Sequence, residues 1–189
     1  VAAAAAAELV VVALGDSGGV ECVTCGEGRD RTDLNLPGSQ LPLLRAVLDG
    51  VDSTKTKVVV TLIHGRPMTF GGDDRCGRFE SCHNQLLEHP ALSALIAAWH
   101  PGQFGGPALV DLISGRAPFV GKLTQAWPRS VGHIARGSGT GPWFGIPLRQ
   151  GTKLTGDALA SGLKTPLFPF AFGLQPGAEF HFSDFELSA

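Results

Sequence analysis

The densest chemistry in the chain is Glu27-Gly28-Arg29-Asp30-Arg31, two acids and two bases within five residues, just after Gly26. Spacing alone is compatible with a solvated charge cluster. It is also how a loop presents a carboxylate. Carboxylate and guanidinium groups together suit sugar hydroxyls, which both donate and accept hydrogen bonds.

Other residue types offer other chemistries. Cys22, Cys25, Cys76 and Cys82 are the only cysteines. A redox C-x-x-C needs a helix N-terminus to lower a thiol pKa, and Cys22 and Cys25 stand in a glycine-rich loop. A zinc site drawing on Cys76 with Cys82 or His83 would have an unusual spacing. Structural disulfides or free thiols fit better, and four cysteines permit three pairings. Disulfides, if formed, place the chain outside the cytoplasm. Gly15-Asp16-Ser17-Gly18-Gly19 spells the G-D-S-G-G of trypsin-like proteases, but that triad runs His, Asp, Ser along the chain. Here all six histidines follow Ser17, so a Gly-rich turn after a strand is the reading. Trp99, Trp127 and Trp143 have faces on which a sugar can stack, although tryptophan more often anchors a core or a loop. The histidines show no H-x-x-x-H spacing, so no metal site is expected. No phosphate-binding glycine motif opens a helix, and no organic cofactor is implied.

These residues need elements to position them. Leu9 to Leu14 is a continuous, β-branched apolar run closed by Gly15, as expected of a strand buried on both faces. Ser39 can cap a helix that carries Leu41, Leu44, Val47 and Leu48 on one face; Pro42 is tolerable in its first turn and Gly50 stops it. Lys57 to Ile63 reads as a second buried strand. Residues 70–90 read as a long polar loop, Ala94 to Trp99 as a third strand, and Gly105 to Ser114 as a helix. Such alternation predicts βαβ units and a mainly parallel sheet covered by helices. The loops at 15–33, 64–90 and 100–106 each follow a strand, so they converge on the carboxyl edge where such sheets bind ligands.

Composition bounds the rest. The 189 residues fit one domain, with 43% apolar residues, 17% charged residues and a net charge of −2. That near-neutral balance argues against nucleic-acid binding, which needs clustered positive charge. Val1 to Ala7 and Leu9 to Leu14 are apolar but split by Glu8, far short of the roughly 20 residues of a membrane span. They lack the basic flank of a signal peptide.

Five segments, taken in order, resemble glycoside hydrolase family 3. Residues 27–40 look like E-G-x-D-R-x-x-L-x-L-P-G-x-Q, and residues 58–67 are similar to V-V-V-x-x-x-S-G-R-P. Residues 99–106 look like W-x-P-G-Q-E-G-G. Gly121-Lys122-Leu123 with residues 127–132 resembles G-K-L-P-x-T-W-P-R-S-V-G, and residues 165–174 are similar to T-P-L-Y-P-F-G-Y-G-L. The resemblance implies the family's C-terminal domain, a three-layer α/β sandwich with a mostly parallel sheet of about six strands and helices on both faces. Residues 1–189 would be most of that domain, with its opening strand and helix before Val1.

The resemblance also implies a partner and a chemistry. An N-terminal (β/α)8-type barrel, in the same or a companion chain, would supply an Asp nucleophile. The sandwich would supply the acid/base Glu of a retaining exo-β-glycosidase of β-glucosidase or β-xylosidase type. Glu27 is the candidate acid/base, with Asp30 and Arg31 binding substrate hydroxyls or fixing the loop. A β-glycoside or oligosaccharide would be the substrate, the location would be extracellular, cell wall or secretory, and these residues alone would be inactive. Departures from the pattern support a second expectation, a non-catalytic structural or carbohydrate-binding domain. Phe104 stands where the family has Glu, His64 where it has Ser, and residues 128–170 contain no Glu.

Overall fold

The computed structural model describes residues 1–16, 34–70, 85–125, 127–128, 167–168, 172–175 and 178–179. In chain order these form α1 (Ala2–Ala5), β1 (Leu9–Gly15), α2 (Gln40–Asp49), β2 (Lys57–Ile63), a 3-10 turn (Gln85–Glu88), β3 (Leu92–Trp99), α3 (Gly105–Ile113), β4 (Leu174–Gln175) and β5 (Ala178–Glu179). The domain is α/β, with a three-stranded parallel sheet ordered β1-β2-β3 and flanking helices. β4 and β5 form a separate antiparallel pair.

The register of the sheet decides what is buried. Val10, Val12 and Leu14 of β1 stand opposite Val58, Val60 and Leu62 of β2. This face joins Leu44, Val47 and Leu48 of α2 in one apolar cluster, together with Leu36, Met68, Phe70, Leu86 and Trp127. Burial of that many large side chains, each contributing about 1.5–3 kcal/mol, holds the strands to the helix. β2 is buried from Val58 to Leu62, as a central strand should be.

Three expectations are corrected. β1 is not buried on both faces: Leu9 and Val11 are each 48% exposed while Val12 and Leu14 are buried. β1 pairs only with β2 among the described strands, and just one face of it meets the apolar cluster. Ser39 holds the position before α2 but makes no side-chain cap; its exposed hydroxyl is not directed at the first-turn amides, and α2 draws its stability from its buried face instead. The 70–90 segment is not all loop, since Gln85–Glu88 coil into a turn that buries Leu86. Phe70 at its start is buried as well.

Candidate functional site

The carboxyl ends of the three strands do converge, and backbone hydrogen bonds hold them in step. The Asp16 amide donates to the Ile63 carbonyl at 3.0 Å, and the His64 amide donates to the Trp99 carbonyl at 3.1 Å. Gly15 sits at φ 150°, where a Cβ would run into the Ile63 carbonyl oxygen, so the strand can leave the sheet here only as glycine. Gln40, the first residue of α2, clasps Gly15 from the other side. Its Oε1 accepts from the Gly15 amide at 2.8 Å and its Nε2 donates to the Gly15 carbonyl at 2.7 Å.

At the centre lies a buried ion pair. Arg66 Nε stands 3.0 Å from Asp16 Oδ2; the Asp16 side chain is fully buried and that of Arg66 is 13% exposed. The two groups face each other as a close charge contact more than as a straight hydrogen bond. Asp16 Oδ1 accepts from the Gly65 amide at 3.2 Å. The other nitrogens of Arg66 reach carbonyl oxygens: Nη1 donates to Leu34 at 3.1 Å and to Pro67 at 3.3 Å, and Nη2 donates to Asn35 at 3.3 Å. Thr69 reinforces the same strip. Its amide donates to the Leu34 carbonyl at 2.9 Å, and its hydroxyl donates to Asn35 Oδ1 at 2.7 Å.

Behind this frame lies an aromatic stack. The His64 ring is tilted against Trp99 with centroids 4.4 Å apart, and meets Trp127 edge-on at 5.3 Å. Phe168 and Phe172 extend the stack. His64 Nδ1 lies 2.7 Å from the Arg66 carbonyl, which can only accept, so Nδ1 carries the proton. Burial pushes the His64 pKa below the ordinary imidazole value, outweighing the hydrogen bond to the Arg66 carbonyl and the charge of Asp16, which act the other way. His64 is therefore a neutral packing element at neutral pH. Trp127, 1% exposed, is a core residue and offers no open face to a sugar. Trp99 has φ 53°, a strained backbone for a bulky residue. It is held there between the His64 ring and the backbone bond to His64.

Asp16 is spent on Arg66, and the imidazole of His64 on packing. Among the described residues no three His, Cys, Asp or Glu side chains gather as a metal site requires, and no helix is long and apolar enough to cross a membrane. Glu27, Asp30 and Arg31 lie outside the described residues, as do all four cysteines and Trp143. What is described is the frame that brackets the 17–33 segment: Gly15 and Asp16 on one flank, Leu34 and Asn35 on the other. Sequence reasoning missed Asp16, Asn35, Arg66 and Thr69 as a unit. A signal was present, since Asn35, Gln40 and Arg66 all fall inside the segments that carry the family resemblance.

The family model for the glycosyl hydrolase family 3 C-terminal domain matches residues 1–175. The chain belongs to that family. A beta-xylosidase of Formosa agariphila is 34% identical over 174 residues, covering 92% of this chain and 20% of that protein. The periplasmic beta-glucosidase of Salmonella typhimurium is 30% identical over 199 residues, covering 100% of this chain and 22% of its own length. The chain thus spans about a fifth of the length of these relatives. Among solved structures, the beta-glucosidase of Listeria innocua in complex with glucose superposes with a TM-score of 0.57 at 26% identity, over 89% of this chain and 20% of that one. The beta-D-glucoside glucohydrolase of Trichoderma reesei reaches a TM-score of 0.64 over 92% of this chain and 22% of that one. At 23% identity that likeness speaks for the fold alone. The family 3 domain therefore carries a polar frame at the carboxyl edge of its sheet.

Proposed function

We propose that this domain is the acid/base-bearing half of a retaining exo-β-glycosidase that removes terminal β-linked sugars, of β-glucosidase or β-xylosidase type. In this reading the complete fold is a three-layer sandwich of about six strands. A (β/α)8-type barrel packs beside it and supplies the Asp nucleophile. Glu27 protonates the glycosidic oxygen as the barrel carboxylate attacks the anomeric carbon, so the leaving alcohol departs and a glycosyl ester forms. Glu27, now ionised, then takes a proton from water, whose oxygen attacks the anomeric carbon and releases the Asp. That chemistry needs the two carboxyl groups about 5–5.5 Å apart, and it consumes only water. Asp30 and Arg31 bind hydroxyls or hold Glu27. An extracytoplasmic location belongs to the same reading.

The observation that carries the proposal is family membership over residues 1–175, with the E-G-x-D-R segment falling within that match. The test is Glu27→Gln in the native polypeptide. Acid/base work predicts a loss of at least about a hundredfold in turnover of aryl β-glucosides or β-xylosides; an unchanged rate would remove Glu27 from the mechanism.

One observation favours a second reading, a family 3 domain kept for structure or carbohydrate binding. Where the family pattern has Glu, Phe104 stands 71% exposed at the start of α3 and its side chain makes no cap. Activity of the native polypeptide on either glycoside class decides against this reading.

A further inference from the structure

We propose that His64 is an acid-sensitive latch: as a neutral ring it holds Trp127, and with it Phe168, against the carboxyl edge of the sheet, and on taking up a proton it lets them part from that edge.

The latch joins distant parts of the chain. His64 directly follows β2 and Trp99 ends β3. Their rings lie 4.4 Å apart, and the His64 amide donates to the Trp99 carbonyl at 3.1 Å. His64 also meets Trp127 edge-on at 5.3 Å. Trp127 is bonded in turn to a later segment. Its amide donates to the Phe168 carbonyl, and its carbonyl accepts from the Leu167 amide, each at 2.8 Å. Among the described ring contacts, His64 is thus the member that joins Trp99 of the sheet to Trp127. Among the described residues, no backbone hydrogen bond ties Trp127 or Phe168 to β2 or β3. Packing holds them there, and packing depends on the state of the imidazole.

Only the neutral ring suits this place. His64 and Trp127 are both buried. Nδ1 donates to the Arg66 carbonyl at 2.7 Å, while Nε2 is buried with no hydrogen-bond partner. In the neutral ring Nε2 is a bare acceptor. In the imidazolium it becomes a second donor carrying charge, and an unpaired buried charge is far costlier than an unpaired acceptor. The charged groups that face the ring do not compensate it. Asp16, at the end of β1, is already paired with Arg66, so their charges largely cancel. His100, the residue after β3, adds a positive charge whenever it is protonated. Burial is the strongest influence on His64 and keeps its pKa below the ordinary imidazole value, against the opposing pull of the Arg66 carbonyl and Asp16. A ring released into water regains an ordinary pKa of about 6.5. The opening constant is therefore flat above that pH, and rises by up to about tenfold per pH unit below it until the closed ring is itself protonated. The bond to Trp99 keeps His64 on the sheet, so the contact that parts is the one with Trp127.

The test is exchange of the Trp127 indole N–H, which is buried and has no hydrogen-bond partner. It is followed by NMR in the native polypeptide labelled at tryptophan, assigned with Trp127→Phe, and corrected for the intrinsic exchange of free indole at each pH. The Val58 amide, which donates to the Ala91 carbonyl at 3.0 Å, reports on the sheet. In the parent, the opening constant at Trp127 should rise about tenfold between about pH 7.5 and 5.5. Its dependence on urea should be shallower than that of Val58, because a local opening exposes little surface. His64→Phe keeps a ring and His64→Gln keeps a donor; neither titrates, and both should give a flat profile. His100→Gln changes an exposed ring and should leave the rise in place. A flat profile in the parent overturns the latch, as does a rise that survives either His64 variant or vanishes in His100→Gln. Equal urea dependence at Trp127 and Val58 overturns it too, since the ring would then be released only by unfolding of the whole domain.

Discussion

Along β2 the chain passes from one kind of interior into another. Val58, Val60 and Leu62 are fully buried in the apolar cluster that includes α2. Just past the end of the strand, Arg66 is held by a buried carboxylate and a row of carbonyl oxygens. The first interior is non-directional. Any side chain of about the right volume contributes, and its removal leaves a cavity that neighbours partly fill. The second is directional. Each partner is needed because the other would be left charged or unbonded in a dry place. The apolar part stabilises the domain and the polar part fixes geometry, and the two should respond differently to substitution.

The largest effect is expected where the polar interior is broken from one side. Asp16→Ala removes the buried carboxylate beside Arg66, and loss of one partner of a buried pair costs about 3–5 kcal/mol. That is a large part of a typical domain's about 5–15 kcal/mol, so urea or thermal melts should move far or show no folded baseline. Replacing both charges, Asp16→Leu with Arg66→Leu, should be less damaging than the sum of the singles, by about 0.5–3 kcal/mol of coupling. Equal additive losses would show that the ion pair is not a unit and would dissolve the contrast.

Next comes the apolar interior. Leu48 and Leu44 have no exposed surface, so either one changed to Ala should cost about 2–5 kcal/mol. The distinguishing readout is the coupling. Leu48→Ala should lower the melting temperature without changing the coupling between Asp16 and Arg66.

How much of this contrast was legible in the sequence follows from the range of the forces involved. β2, β3, α2 and α3 could be read because apolar periodicity is local: Leu44, Val47 and Leu48 mark a helix face whatever they pack against. The two-sided burial assigned to β1 failed because the run Leu9 to Leu14 is apolar at every position. Chemistry then cannot say which face meets a second layer. The ion pair was invisible for a related reason. Asp16 and Arg66 meet only because the parallel register sets Gly15 beside Ile63, and register is a property of two strands together. Gln40 looked like an ordinary first-turn residue, yet its amide clasps Gly15. Glu27, Asp30 and Arg31 stood out as a charge cluster, took their roles from the family resemblance, and lie outside the described residues.

A smaller effect separates the aromatic stack from both interiors. Burial holds the His64 pKa below its ordinary value. Between the folded and unfolded pKa values, the unfolded chain therefore binds a proton that the folded chain refuses. This contribution is fully present above pH about 6.5, the ordinary value, and is lost progressively as pH falls below it. One proton sets the slope at no more than about 1.4 kcal/mol per pH unit. His64→Phe keeps a ring between Trp99 and Trp127 and removes the titration. Its melts between pH 8 and 5 should be flatter than those of the parent, and parallel profiles would mean that His64 is not the group responsible.

The finest contrast tests the two faces of β1 with a single change of chemistry. Val11 and Val12 are neighbours of one residue type, the first 48% and the second 9% exposed. Valine to threonine keeps the shape and the β-branched preference for a strand, so the difference between the two variants isolates what lies over each face. Val12→Thr places a hydroxyl in the apolar cluster, beside its strand partner Val60, and should cost about 1–3 kcal/mol. Val11→Thr places it in solvent and should stay within about 0.5 kcal/mol. Equal losses at both positions would mean that both faces of β1 are covered, and that the strand is the two-sided element its apolar run suggests.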